Sequence, residues 1–253
     1  MVEEVEGIVV HVHDYGETSK ILNIMTKEHG IIGVMSKGCK KLKSDLRSVS
    51  SKMTYGVFQL YYKPNKLSTL VSVDVLDRFK FIQQDITMIS YASFLLELGE
   101  QVMKQNYNEQ IYTLLISSIQ KINEGYDPMV ITNILELKYL NYLGVMPILD
   151  GCAICGSNKS IATLSSTKGW YVCNQCLKNE KIVDEKTIKL IRMFYYLDIS
   201  KITKLDISNQ VKHEINDFLD EYYEQYTGLY LRSKSFLKNL NKIGWVVWKI
   251  IFI

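Results

Sequence analysis

Four of the chain's five cysteines fall in one short stretch, Cys152, Cys155, Cys173 and Cys176, with the spacing C-x2-C-x17-C-x2-C. Thiolates spaced in this way suit one chemistry above others. Two C-x-x-C turns facing each other present four sulfurs to a tetrahedral divalent ion, zinc in particular. Gly151, Gly156 and Gly169 supply backbone freedom where the chain must bend tightly. Four protein thiolates leave no position for water or substrate, so the expected role of the zinc is structural. The knuckle it would staple, about 30 residues with few apolar groups, would depend on the ion to fold. The competing reading is redox-active or free cysteines. Cys39 is left over, and its expected role is that of a small buried hydrophobe.

A second constellation, SKGCKKLKSDLRSVSSK over residues 36–52, carries Lys37, Lys40, Lys41, Lys43, Arg47 and Lys52 against one acid, Asp45. Between Glu28 and Asp74 there are eight basic residues and only that acid. Such a run attracts a phosphate backbone, and release of condensed counterions supplies much of the affinity. Its plainer reading is a solvated charged loop. Tyr55, Phe58, Tyr61 and Tyr62 lie close by, and bases stack on exposed rings. Strand alternation sends Phe58 and Tyr62 to one side and Tyr61 to the other, so most of these rings are expected in a core.

Other signals are weaker. His11 and His13 share a strand face, but no third metal ligand is evident, and a polar, partly exposed face is the better reading. The run HEINDFLDEYYE, 213–224, is read as a helix with Glu214, Asp217, Asp220, Glu221 and Glu224 in water and Ile215, Phe218, Leu219 and Tyr222 inward. There is no G-x-x-x-x-G-K-S/T loop, no G-x-G-x-x-G after a strand and no G-x-S-x-G elbow. No nucleophile–base spacing recommends an enzyme, and none is expected.

The elements that must position these groups follow from periodicity. Over 5–36 three apolar runs are separated by the turns Asp14-Tyr15-Gly16-Glu17 and Glu28-His29-Gly30. In the first, Ile8, Val10 and Val12 alternate with Val9, His11 and His13. Runs at 53–62 and 67–77 complete five strands, enough for a small OB-type barrel that removes its own edges. From 83 the period becomes helical, with Ile86, Ile89, Phe94, Leu95, Leu98 and Val102 on one stripe and Ile111, Leu114, Leu115, Ile119 and Ile122 on the next. Asp127-Pro128 starts a helix over 128–143 that Gly144 and Pro147 end. Helical pattern resumes at 184–197 and 208–241.

The fold class is thus α+β and multidomain. An OB-fold occupies 1–80, a helical domain 81–148 and 181–241, and the inserted zinc knuckle 149–180. A tail, 242–253, ends in the apolar WVVWKIIFI. Residues 1–80 carry 12 basic and 9 acidic side chains, 81–148 carry 3 and 7, and 149–253 carry 15 and 11, so a polyanion is expected on the flanking parts rather than the middle. No run of about 18 apolar residues suggests a membrane span. The acidic start MVEEVEGIVV is not read as a secretory signal, and with five cysteines it suggests a reducing cytoplasm.

The order barrel, basic loop, helices, knuckle, helices resembles the bacterial DNA repair and recombination protein RecO family, over about residues 3–240. Three stretches carry the likeness. One is Tyr15-Gly16-Glu17-Thr18-Ser19, Thr26-Lys27-Glu28-His29-Gly30 and Ser36-Lys37-Gly38-Cys39-Lys40-Lys41-Leu42-Lys43-Ser44, similar to a T-x-E-x-G turn and a G-A-R/K-R/K-x-K-S loop. Another runs from Leu135 to Pro147 and into Cys152-Ala153-Ile154-Cys155-Gly156. The last is Leu231-Arg232-Ser233 with Phe236-Leu237. The resemblance implies an OB-fold, a helical domain and a four-cysteine zinc element. It also implies binding of single- and double-stranded DNA without sequence choice, annealing of complementary strands, and help from RecR in placing RecA on DNA coated by single-strand-binding protein. It implies no bond-making activity. It maps DNA binding onto Lys37, Lys40, Lys41, Lys43 and Arg47, and zinc onto the four cysteines. Cys39 stands where the family has alanine, and Gly169-Trp170 where a Gly-Gly is common, so the knuckle's turn is expected to differ. The alternatives are an RNA-binding translation or ribosome-associated factor, a protein scaffold with an idle basic loop and, least favoured, a metal-dependent hydrolase.

Overall fold

The structure, a computed structural model, describes residues 2–237; the apolar tail lies outside them. Strands β1 (Glu3–Tyr15), β2 (Ser19–Thr26), β3 (Gly30–Ser36), β4 (Tyr55–Tyr61) and β5 (Ser68–Asp77) close into a barrel in the order β1-β2-β3-β5-β4. Neighbours are antiparallel except β3 and β5, which run parallel and pair only at Val34–Ser68 and Met35–Thr69. The period-two pattern is what fills the barrel. Leu22 and Ile24, Ile32 and Val34, and Phe58 and Leu60 alternate inward and meet Val5, Val9 and Leu70 in one core. Each such side chain contributes about 1.5–3 kcal/mol when fully buried.

The first strand departs from its expected alternation. Val9 pairs with Ile24 and His11 with Asn23, so Val10 is an extra residue. This bulge flips the pleat, and Val9 and Val12 both face the core although three residues apart. Val9 therefore does not share the face of His11 and His13, whose rings remain together outside, edge to face at 4.4 Å. Opposite β1, Gly56 sits where strands crowd: a Cβ there would lie 2.5 Å from the Asp74 carbonyl oxygen. Replacing Gly56 by alanine must push β4 from β5. We expect a loss of about 2–3 kcal/mol, read as a lowered denaturant midpoint. An unchanged midpoint would show that the two strands part without cost.

Helices α1 (Ile86–Gln105) and α2 (Glu109–Asn123) follow the barrel. Asp85 caps α1, its carboxylate accepting from the Thr87 and Met88 amides at 2.7 and 3.0 Å. At the start of α2, Tyr112 donates to Glu6 of β1 at 3.1 Å, and Tyr55 donates to the same carboxylate oxygen at 3.0 Å. The chain forms two compact units. One runs from the N-terminus to Ile116 and resumes at Ser233; the other is Ser117–Arg232.

In the second unit α3 spans Pro128–Tyr142, with Asp127 capping the Met129 and Val130 amides and Gly144 beyond its end at φ +72°. Strands β6 (Ile161–Ser165) and β7 (Trp170–Cys173) form a hairpin, followed by α4 (Glu185–Tyr196) and α5 (Asn209–Tyr226). Helix α5 packs on α3, where Tyr223 donates to the Glu136 carbonyl at 2.8 Å and Lys212 pairs with Asp127 at 2.6 Å. The helical pattern read over 208–241 is not one helix. The first stretch ends at Tyr226, because Gly228 takes a left-handed φ of +62° that stops the ladder, and helix resumes over residues 232–237. Ile215, Phe218, Leu219 and Tyr222 are buried as expected. Of the acids read as wet, Glu221 is exposed and Glu214 is half-buried, and both also accept hydrogen bonds. Glu214 takes them from the Asp184 amide and the Thr187 hydroxyl, and Glu221 from the Ser166 hydroxyl.

Candidate nucleic-acid interface and metal centre

Where β3 ends, the basic segment leaves the barrel and stays rooted in it. Gly38 turns at φ +66°, its amide donating to the Ser19 hydroxyl at 3.1 Å, and the Lys40 amide donates to the Thr18 carbonyl at 2.9 Å. Cys39 is the anchor between them, 1% exposed, which fits its reading as a small buried hydrophobe. Turns at Lys41–Ser44 and Ser44–Arg47 lead into a short 3-10 turn at Asp45–Arg47. The segment returns through Ser50, whose hydroxyl meets that of Ser36 at 2.7 Å while its carbonyl accepts from Lys20 at 3.1 Å. A loop tied at so many points fixes the backbone that carries these charges.

The five basic side chains are not equivalent. Lys40 pairs with Asp14 of β1 at 2.8 Å and is largely covered, and its hydrogen bond holds the Asp14 carboxyl below the usual carboxylate range. Lys37, Lys41, Lys43 and Arg47 are exposed and make no ion pair among the described residues. Just past Arg47, from Ser48 on, is a cleft of about 190 Å³ whose walls include Lys52, Arg78 and Lys80 with one acid, Asp77. Arg78 and Lys80 were not singled out from sequence; the excess of bases over acids in the first 80 residues was the only sign of them. Of the four nearby rings, Phe58 and Tyr55 are buried, Tyr62 stacks on His29 at 4.5 Å, and Tyr61 stands exposed.

The four cysteines of the second unit converge. Their sulfurs all lie within 4.8 Å of one another, and those of Cys155 and Cys173 are 3.6 Å apart. Zinc–sulfur bonds of about 2.3 Å in a tetrahedron place sulfurs about 3.8 Å apart, so the cluster has the dimensions of a four-thiolate site. Backbone geometry explains the convergence. The Gly156 amide donates to the Cys152 carbonyl at 2.8 Å, closing the first turn, and the amides of Cys176 and Leu177 both donate to the Cys173 carbonyl at 3.0 Å, closing the second. The Ala153 amide reaches the Tyr171 carbonyl at 2.8 Å and holds the turns face to face. A Cβ on Gly151 would lie 2.5 Å from the Gly156 carbonyl oxygen, so only glycine fits there.

Electrostatics favour a cation at this point. Burial alone would raise the Cys152 thiol, but backbone N–H groups of Cys155, Cys173 and Ile154 outweigh it and bring it to about 6. Cys176 is pushed up to about 12 by hydrogen bonds among the thiols, that with Cys155 foremost. One sulfur is thus biased toward the thiolate while another keeps a proton that it shares with its neighbours, and a divalent ion would take the place of such shared protons.

Trp170, next to the second pair, takes φ +145°, a conformation that favours glycine. Its indole is fully buried, edge-on to Phe218 at 4.6 Å and Tyr222 at 5.5 Å. Packing of a large ring offsets backbone strain at this position.

Comparison with known proteins accords with this architecture. The family model for the N-terminal part of recombination protein O matches residues 1–79, and that for its C-terminal part matches 83–235. A DNA repair protein RecO of Listeria monocytogenes is 36% identical over 244 residues, covering 95% of each chain. Those of Bacillus velezensis and Bacillus subtilis are each 35% identical over 247 residues, covering 96% of each chain. Barrel, helical part and cysteine cluster all fall inside the matched residues, and the chain belongs to the RecO family.

Proposed function

We propose that this protein is a DNA-handling adaptor of repair and recombination. It binds single- and double-stranded DNA, anneals complementary strands and, with RecR, assists loading of RecA onto DNA coated by single-strand-binding protein. The observation that carries this reading is the set of exposed cations Lys37, Lys41, Lys43 and Arg47 on a loop rooted in the barrel. Two phosphate backbones held by such an array repel each other less, and their bases can then find partners. The work is charge neutralisation, with no bond made or broken, in the bacterial cytoplasm at the nucleoid. The names of the relatives support DNA as the polyanion and do not favour the RNA-binding translation factor.

Cys152, Cys155, Cys173 and Cys176 would hold zinc, which would supply cross-linking and no reaction, since four thiolates fill its coordination sphere. The deciding experiment is annealing of complementary oligonucleotides coated with single-strand-binding protein, with and without RecR. We expect the protein to speed annealing and RecR to alter that rate. Annealing no faster than without the protein would overturn the reading.

A further inference from the structure

We propose that the groove between the basic loop and β5 receives one unpaired nucleobase of a bound single strand; this deepens the DNA-binding reading above and rests on it. The groove lies beside the pair that closes the barrel, which is only two residues long. Strand β5 meets β3 only at Ser68 and Thr69, and past Thr69 no strand among the described residues pairs with it on that side. Backbone N–H and C=O groups along such an edge need a partner and find water or a ligand. Over this seam the loop lays its 3-10 turn, leaving a groove of about 410 Å³ lined in part by Lys43, Ser44, Asp45, Leu46, Val71 and Val73. That volume falls in the range of small-molecule sites, about 300–1,000 Å³.

The lining matches a base rather than a phosphate. Leu46, Val71 and Val73 give an apolar surface for a flat ring, and Val71 is 39% exposed. Lys43 stands at the groove, where the phosphate next to that base would follow. Asp45 is the one acid between Glu28 and Asp74. A carboxylate here opposes phosphate binding, yet it suits an acceptor for the amino group of a base. A base stacked in a duplex still shows its amino group in the major groove but does not present its face, which is what Leu46, Val71 and Val73 would contact. The groove therefore adds affinity for single strands alone, while the cations serve both forms.

The test is binding of a mixed-sequence oligonucleotide and of its duplex, by fluorescence anisotropy, to the full chain and two variants. Val71→Trp fills the groove from a partly exposed position and removes no charge. We expect single-strand affinity to fall about tenfold, the scale of one base contact, and duplex affinity to stay unchanged. Asp45→Ala removes a negative charge but should still weaken single-strand binding, about twofold to threefold by loss of the acceptor. Photocrosslinking of a 5-iododeoxycytidine oligonucleotide, whose base keeps its amino group, to the unaltered chain should label the peptides holding Leu46 or Val71, which keeps the test valid if Val71→Trp does not fold. Equal loss of both DNA forms in Val71→Trp, no loss of either, tighter single-strand binding by Asp45→Ala, or crosslinks only elsewhere would each overturn the assignment. An unaltered chain that binds neither form would instead sink the DNA-binding reading itself.

Discussion

Alanine at Lys41, Lys43 and Arg47 together is expected to weaken DNA binding about a hundredfold at about 0.1 M salt and to flatten its salt dependence. The three side chains are exposed and make no ion pair among the described residues, so each can displace a counterion from DNA. Each neutralised phosphate contributes about 0.9 to the slope of log K against log[salt] on duplex and about 0.7 on single strands, so the slope should fall by about 2.7 and about 2.1. Lys40→Ala should behave differently. Its charge is already spent on Asp14 at 2.8 Å, so its removal should change the slope by less than about 0.5. Asp14→Asn, which releases Lys40, should steepen the slope by up to about 0.9. Anisotropy titrations over a range of salt check all three variants. An unaltered slope in the triple variant would remove the loop from the interface, and a Lys40→Ala effect equal to the others would mean that DNA breaks the Asp14 pair.

That distinction among lysines marks where sequence reasoning stops. Five barrel strands were legible because a closed barrel buries every second side chain, and the turn residues between them are chemically marked. The cysteine cluster was legible because the turns that aim its sulfurs are local and their spacing is written in the chain. Contacts between distant segments leave no such trace. Asp14 is 26 residues from Lys40, and nothing in the run of lysines says which of them it neutralises. Val10 looks like any other apolar strand residue, and only pairing with β2 shows it to be the extra one that turns Val9 inward. The helical period runs through Tyr226 in composition, while Gly228 breaks it in fact and helix resumes only at 232. The groove on β5 follows from a pairing with β3 just two residues long, which hydrophobic pattern does not encode. Trp170 shows the converse. A ring at a glycine-favouring φ suggests a changed turn, yet the packing of Phe218 and Tyr222 around it accommodates the conformation.

Removing the metal should unfold the knuckle and leave the charge-driven part of DNA binding intact. The purified chain should carry about one zinc per molecule, measured by elemental analysis, as a filled four-thiolate site requires. Cys173→Ser, or a strong chelator, should release it. Structural zinc in finger peptides is worth about 10–16 kcal/mol, comparable with or above the whole stability of a typical domain at about 5–15 kcal/mol, so the hairpin cannot hold without it. Amide hydrogen exchange across 152–176 should then rise by orders of magnitude, while β1–β5 stay protected. Retention should also fall as pH falls, because protons compete for sulfurs that bind only as thiolates; the sign follows from the need to ionise four thiols. The salt slope for DNA should not change, since Lys37, Lys41, Lys43 and Arg47 stand on a loop anchored by Cys39, Ser50 and the β1–β2 turn, none of which needs the ion. A slope that falls with the metal would mean that the knuckle itself grips phosphate. Exchange unaltered by Cys173→Ser would mean that the four sulfurs gather without a metal and that the hairpin is held by Trp170 and its neighbours alone.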